Sequence, residues 1–187
     1  MPVKENRRSQ MTRLLLRTAL LELMQEKPFS QITIRELCEK ADLNRTTFYL
    51  HYTDQLDLLE DIEQDIMDKT KEYMRNIHTD PRTVRQVAAF LEYIRKNDLV
   101  FRTLFCRQDS ESFRRKFVEE MQHLIGVDLP AYGTERRTQY VLSFLMYGSL
   151  YVIIEWMQHD YQETPEQIAR LLFDINASVD ENHTLTI

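Results

Sequence analysis

Three glycines in 187 residues, at positions 126, 133 and 148, leave this chain few places to turn tightly. With only five prolines beside them, a many-stranded sandwich or barrel, which needs turn residues at short intervals, is excluded. What fills the sequence instead is the 3.6-residue period of amphipathic helices, with no convincing strand. A chain of this length buries about 70% of its unfolded surface, enough for an apolar core without staples. Its 43% hydrophobic and 29% charged residues are those of an ordinary globular protein. Cys38 and Cys106 are too few for a disulfide scaffold. The opening MPVKENRRSQM lacks the apolar stretch of a signal peptide, so the expectation is a cytoplasmic, helical protein.

Start and stop signals divide the chain. A first helix is expected from Ser9 to Glu26, with Met11, Leu15, Ala19 and Leu23 on one stripe, ended by Lys27-Pro28. Thr33 followed by Glu36 is a capping box, and Ile32 with Leu37 stand where a hydrophobic staple packs. Asn44 then caps a short helix from Arg45 to His51. Asp54 opens a long amphipathic helix, 54–77, whose stripe is Leu59, Ile62, Ile66, Tyr73 and Ile77. Further helices are expected near 82–97, 99–107, 110–125, 135–159 and 165–179, the last with its cap at Thr164, Pro165 in the first turn and Gln167 closing the box. Leu129 to Gly133 reads as a loop. The organisation is a small head, residues 1–53, and a larger body, residues 54–187, with the 54–77 helix as the strut between them.

Charge follows the same division. Residues 1–52 carry nine Lys+Arg against six Asp+Glu, a balance of +3, whereas residues 53–187 carry −9 of the total −6. Any polyanion partner is therefore expected at the N-terminal end, although +3 over 52 residues is modest enough to be a chance fluctuation.

Residues 33–52 have the layout of a helix-turn-helix: a capped helix, a tight turn and a second short helix. Asp42 takes the turn position that needs a left-handed backbone, which Asp adopts at modest cost. Phe48 is directed inward, and Arg45, Thr46, Tyr49 and Leu50 are left outward.

These residues carry a family resemblance. The strings Phe29-Ser30-Gln31-Ile32-Thr33-Ile34, Leu37 through Asn44, and Thr47-Phe48-Tyr49-Leu50-His51-Tyr52, followed by Leu58-Leu59, resemble the DNA-binding domain of TetR/AcrR-type transcriptional regulators over residues 9–60. The resemblance implies an all-α protein with an N-terminal three-helix helix-turn-helix DNA-binding domain, joined by a long helix to a larger C-terminal helical ligand-binding and dimerisation domain. It implies a homodimeric repressor of double-stranded operator DNA, released by a small apolar or aromatic effector. A regulator of the same fold that works through a protein partner is the alternative. The DNA-contacting set is then Thr33, Arg35, Asn44, Arg45, Thr46, Thr47, Tyr49, Leu50, His51 and Tyr52. Two departures stand out: Asp42 where the family commonly has glycine, and Gln55 where it commonly has a phosphate-contacting lysine.

In the body, the aromatic-rich set Phe90, Tyr93, Phe101, Phe105, Phe117, Phe144 and Tyr147, with Met121, is the candidate effector pocket, and equally a plain core. Thr138 to Ile154 runs 17 residues without charge, short of the ~20 apolar residues of a membrane span. A helix apolar all round is expected to be buried on several sides, and the resemblance makes one of them a subunit interface, with Tyr151, Trp156 and Phe173 as candidates. No metal, cofactor or catalytic set is expected: the cysteines stand alone and the histidines are scattered without an H-E-x-x-H pattern. Asp57, Asp61, Asp65 and Asp68 read as a solvated face.

Overall fold

A computed structural model of the chain describes residues 7–74, 81–107, 110–125 and 135–181. All regular structure among them is helical, and the chain divides into two compact units, Met1–Ile66 and Met67–Ile187. The first unit holds α1 (Arg7–Glu26), a short 3-10 turn (Phe29–Gln31), α2 (Ile34–Lys40), α3 (Arg45–Tyr49) and the beginning of α4 (Gln55–Met74). The second holds the end of α4, then α5 (Pro81–Lys96), α6 (Asp98–Phe101), α7 (Glu111–Ile125), α8 (Glu135–Gln158) and α9 (Pro165–Glu181).

Local chemistry sets each boundary of the first unit. The Glu36 N–H donates to Thr33 Oγ1 at 3.3 Å, and the Thr33 N–H donates back to Glu36 Oε2 at 3.0 Å. Lys27 Nζ reaches Glu36 Oε1 at 2.5 Å, so one carboxylate ties the end of α1 to the start of α2. Together these bonds hold the Glu36 carboxyl down at about 2, well below its ordinary 4.5. The staple residues Ile32 and Leu37 are both buried. At the other end of α2, Asp42 sits at φ 53°. The Leu43 N–H bonds the Cys38 carbonyl at 2.9 Å and the Asp42 N–H bonds the Glu39 carbonyl at 3.3 Å, the two bonds of a Schellman motif.

Asp54 caps α4 as its sequence position suggests, its Oδ1 accepting from the N–H groups of Leu56 and Asp57 at 2.8 and 2.9 Å. The buried row of α4 differs from the expected stripe. Leu58, Ile62 and Ile66 are buried and Leu59 is only half-buried, because successive i+4 steps from Leu58 keep the row on the core side. Ile77, like the loop expected at Leu129–Gly133, lies outside the described residues.

In the second unit α5 lies along α9, and the single helix expected at 99–107 is a one-turn α6 that widens into a π-helical turn, Arg102–Cys106. Arg114 on α7 donates to the Phe105 and Arg107 carbonyls at 2.7 and 3.0 Å, taking up acceptors that the widened turn frees. A second Schellman motif ends α8, with Asp160 and Tyr161 both left-handed. The Tyr161 ring stacks edge-on against Trp156 at 4.8 Å, its hydroxyl donates to Asp98, and Arg102 lies over its face at 5.3 Å. Thr164 and Gln167 form the expected box at the start of α9.

Two stability experiments follow. Because the Glu36 carboxyl is depressed in the folded protein, its contribution is complete above about pH 4.5 and fades as pH falls through about 2. Glu36→Gln should melt below wild type at neutral pH, with the gap closing over that acid range when both are followed by circular dichroism. Asp42→Gly should raise the urea midpoint, adding up to about 1 kcal/mol of stability by removing a left-handed side chain. Asp42→Val should move it down.

Candidate nucleic-acid interface

The helix-turn-helix consists of α2, the Asp42 turn and α3. Helix α3 is five residues long, too short to persist alone. It stands because Asn44 Oδ1 accepts from the Thr47 N–H at 2.8 Å and from Thr47 Oγ1 at 3.0 Å, and because Phe48 is fully buried. Asn44 and Thr47 are thereby given to the cap, as Thr33 is at α2. The opposite face of α3 carries Arg45, Thr46, Tyr49 and Leu50, all exposed. Tyr49 packs edge-on against Phe48 at 5.5 Å, so an exposed phenol is held by a buried ring. On α2, the exposed Arg35 is oriented by Glu39, Nε to Oε1 2.7 Å. A shallow cleft between the two helices is lined by Arg35, Cys38, Glu39, Leu43, Asn44 and Arg45. His51 is half-buried beside Tyr52.

Tyr52, grouped with the DNA-facing residues by the sequence, is turned inward. It is 3% exposed; its hydroxyl donates to Asp61 Oδ2 at 2.8 Å, and Arg13 lies over its ring at 5.7 Å. Burial and the neighbouring Asp61 both push its phenol well above the ordinary range. The same cluster corrects the solvated face expected of α4 at Asp61 and Asp65, whereas Asp68 is exposed as expected. Arg17 pairs with Asp65 at 2.7 Å and approaches Asp61 at 4.0 Å, and Arg13 approaches Asp61 at 3.9 Å. The legible signal was the matched spacing: Arg13 and Arg17 four apart on α1, Asp61 and Asp65 four apart on α4.

Gln55 is also drawn into the fold, its Nε2 donating to the Ile32 carbonyl at 3.2 Å. The side chain at the commonly lysine position therefore joins the start of α4 to the approach to α2.

In the second unit the rings of Tyr73, Phe90, Tyr93, Phe101, Phe105, Phe113 and Phe117 form a continuous column, with neighbouring centroids 4.9–6.5 Å apart. Phe90, Phe101, Phe105, Phe117 and Met121 of the expected pocket are buried and Tyr93 is half-buried. Tyr73 and Phe113 belong to the column and were not anticipated. Phe144 and Tyr147, placed in that set by the sequence, are exposed instead, Phe144 by 67%. They continue with Tyr140 and Tyr151 along one face of α8, because these positions recur at three- and four-residue steps. Trp156, assigned to a subunit interface by the sequence, is 2% exposed and donates its indole N–H to the Glu163 carbonyl at 2.9 Å. Phe173 is half-buried. Helix α8 is long and apolar enough to cross a membrane by length and composition, and only 22% of its most apolar window is buried within the chain. No group of three or more His, Cys, Asp or Glu that could hold a metal occurs among the described residues.

Two family models account for most of the chain. Residues 16–62 match that of bacterial regulatory proteins of the tetR family, and residues 83–177 match a transcriptional regulator C-terminal region. The uncharacterized HTH-type transcriptional regulator YxbF of Bacillus subtilis is 22% identical over 170 residues, 86% of this chain. This chain spans 43% of that relative's length. Among solved structures, a TetR transcriptional regulator from Streptococcus agalactiae superposes with a TM-score of 0.65 at 21% identity, covering 91% of this chain and 96% of its own. The dihydroxyacetone kinase operon activator DhaS does so with a TM-score of 0.55 at 13% identity over the same shares. These likenesses establish a shared fold, and the family models give the lineage: the chain belongs to the TetR family of bacterial regulatory proteins.

Proposed function

We propose that the protein is a homodimeric repressor of the cytoplasm that binds a near-palindromic operator through residues 1–53 and is released by an effector held in residues 54–187. The observation that carries the DNA half is α3 itself. Its anchor Phe48 is fully buried while Arg45, Thr46, Tyr49 and Leu50 stand in solvent on the opposite face. A short helix so presented fits the major groove, where side chains reach base edges. Arg45 is the reader, while Arg35, Tyr49 and His51 are placed for the phosphates, which position the protein without selecting sequence. Thr33, Asn44 and Thr47 hold the two helices in shape for this contact.

The dimer half rests on the exposed apolar faces of α8 and α9. Tyr140, Phe144, Tyr147 and Tyr151 lie along one face of α8, Leu171 and Ile175 are exposed on α9, and a Cβ at Gly148 would meet nothing within 4 Å. A two-fold mate that covers both faces accounts for an apolar helix left open in one chain. Phe173 is half-buried and lies two residues from both Leu171 and Ile175, on the other side of α9 from that surface.

The effector half rests on the aromatic column, the π-helical turn that contains Phe105, and Gln86. Widened turns of this kind recur at functional sites. Gln86 Oε1, one turn before Phe90 on α5, is buried without a hydrogen-bond partner. A flat molecule carrying an O–H or N–H would stack with the rings and supply the missing donor. It acts by favouring one separation of the two reading heads, so operator must change effector affinity by the same factor. The close packing of the column favours a second reading, control by a protein partner outside the body. The likeness to an activator, DhaS, makes the sign of regulation a question for a reporter assay.

Two experiments test this. Arg45→Ala should keep low-salt binding but lose about 1–3 kcal/mol of discrimination between the selected site and single-base variants, read by competition gel-shift at stated salt. An unchanged preference would assign the reading elsewhere. Tyr151→Glu should elute as a monomer in light-scattering chromatography and lose about a hundredfold or more in operator affinity, because two linked heads bind with avidity.

A further inference from the structure

Leu50 is 77% exposed, the most exposed large apolar side chain among the described residues. It is not on a wandering loop. It closes α3 with helical backbone angles, φ −74° and ψ −17°, and its N–H bonds the Thr46 carbonyl at 3.2 Å. The residues two before and two after it, Phe48 and Tyr52, are both buried, which fixes the side on which Leu50 projects. Thr46, one turn earlier, shares its face and is exposed as well. A leucine held rigidly in water contributes nothing to the core, so its apolar surface is used only when something covers it.

The surroundings narrow what that something is. Thr46 lies about one turn from Leu50, Arg45 is one residue further back, and Arg35 is exposed on the preceding helix. The head as a whole is cationic, +3 over residues 1–52. Leu50 and the adjoining exposed Tyr49, on a short, charged, convex helix, make too small an apolar patch to dock a protein, but Leu50 matches a major groove. There the C5-methyl of thymine is the apolar feature among the donors and acceptors of the base pairs.

We propose that Leu50 is a specificity-determining residue that selects thymine, its isobutyl group packing on the C5-methyl of one thymine in each operator half-site. The proposal rests on the DNA-binding reading above and adds to it the base that the half-site must contain. Arg45 at the start of α3 and Leu50 at its C-cap then read different kinds of base edge, a hydrogen-bonding one and a methyl.

The test separates this proposal from the reading on which it rests. The wild-type protein is used to select a site from random duplexes. Each dT of that site is then replaced by dU, which removes the methyl and leaves base pairing intact. Wild type should bind about fourfold more weakly when one particular dT per half-site becomes dU, the effect of losing one buried methyl. Leu50→Ala should bind the dT and dU duplexes equally while keeping its preferences at other positions. Its melting temperature should match wild type, because the side chain it loses is exposed. If wild type is indifferent to every dU, or if Leu50→Ala keeps the wild-type preference for dT, the role of Leu50 is overturned while the specific complex stands. If no sequence is enriched and no complex forms at low salt, both readings fall.

Discussion

The burial of Phe48 is what the head of this protein depends on. A helix of five residues cannot pay its own nucleation cost, and α3 exists because one aromatic side chain is removed from water while Asn44 closes its first turn. From that anchor the other placements follow in register. Tyr49 is held edge-on against the buried ring, Tyr52 is drawn inward to Asp61, and Arg45, Thr46 and Leu50 are left on the far side. An exposed reading face and a buried anchor are thus two consequences of one helical period. Any change that loosened Phe48 would disorganise the presented side chains without touching one of them.

The elements legible in the sequence are those governed by neighbours along the chain. The Thr33–Glu36 box, the Asn44 and Asp54 caps, the left-handed Asp42 and the Thr164–Gln167 box all operate within a few residues, and the structure realises each. What the sequence left hidden depends on groups far apart in it. Tyr52 looked like part of an exposed string until Asp61 and Arg13 were found around it. Leu59 and Leu58 are adjacent and chemically identical, and only the packing of α4 decides which is buried. Phe144 and Trp156 exchanged their expected environments for the same reason: aromatic spacing marks a helix face but not what covers it. The widened turn at Arg102–Cys106 had no local signature either, since its freed carbonyls are answered by Arg114 from the next helix.

Gln55 shows how a departure from a family pattern can be absorbed. A lysine there would offer a charge to a phosphate, whereas the glutamine amide is spent on the Ile32 carbonyl. The head gives up one long-range attraction to any polyanion and gains a tie between the start of α4 and the segment that leads into α2. In the proposed complex with DNA, such an exchange would lower affinity for all sequences alike, leaving a larger share of the binding to the side chains proposed to face the bases.

The junction after α8 has a consequence for how fast such a protein could assemble. Asp160 and Tyr161 hold backbone angles that side chains seldom adopt, and Trp156, Asp98 and Arg102 hold Tyr161 in place from three directions. The chain therefore leaves α8 and enters α9 through a corner that is already set. Two copies that meet across these helices need not first search for a loop conformation, and little ordering entropy is charged to their association. Their encounter rate would be governed by diffusion and orientation, as for other preorganised surfaces. In the proposed dimer, subunits would then pair without first having to order this corner.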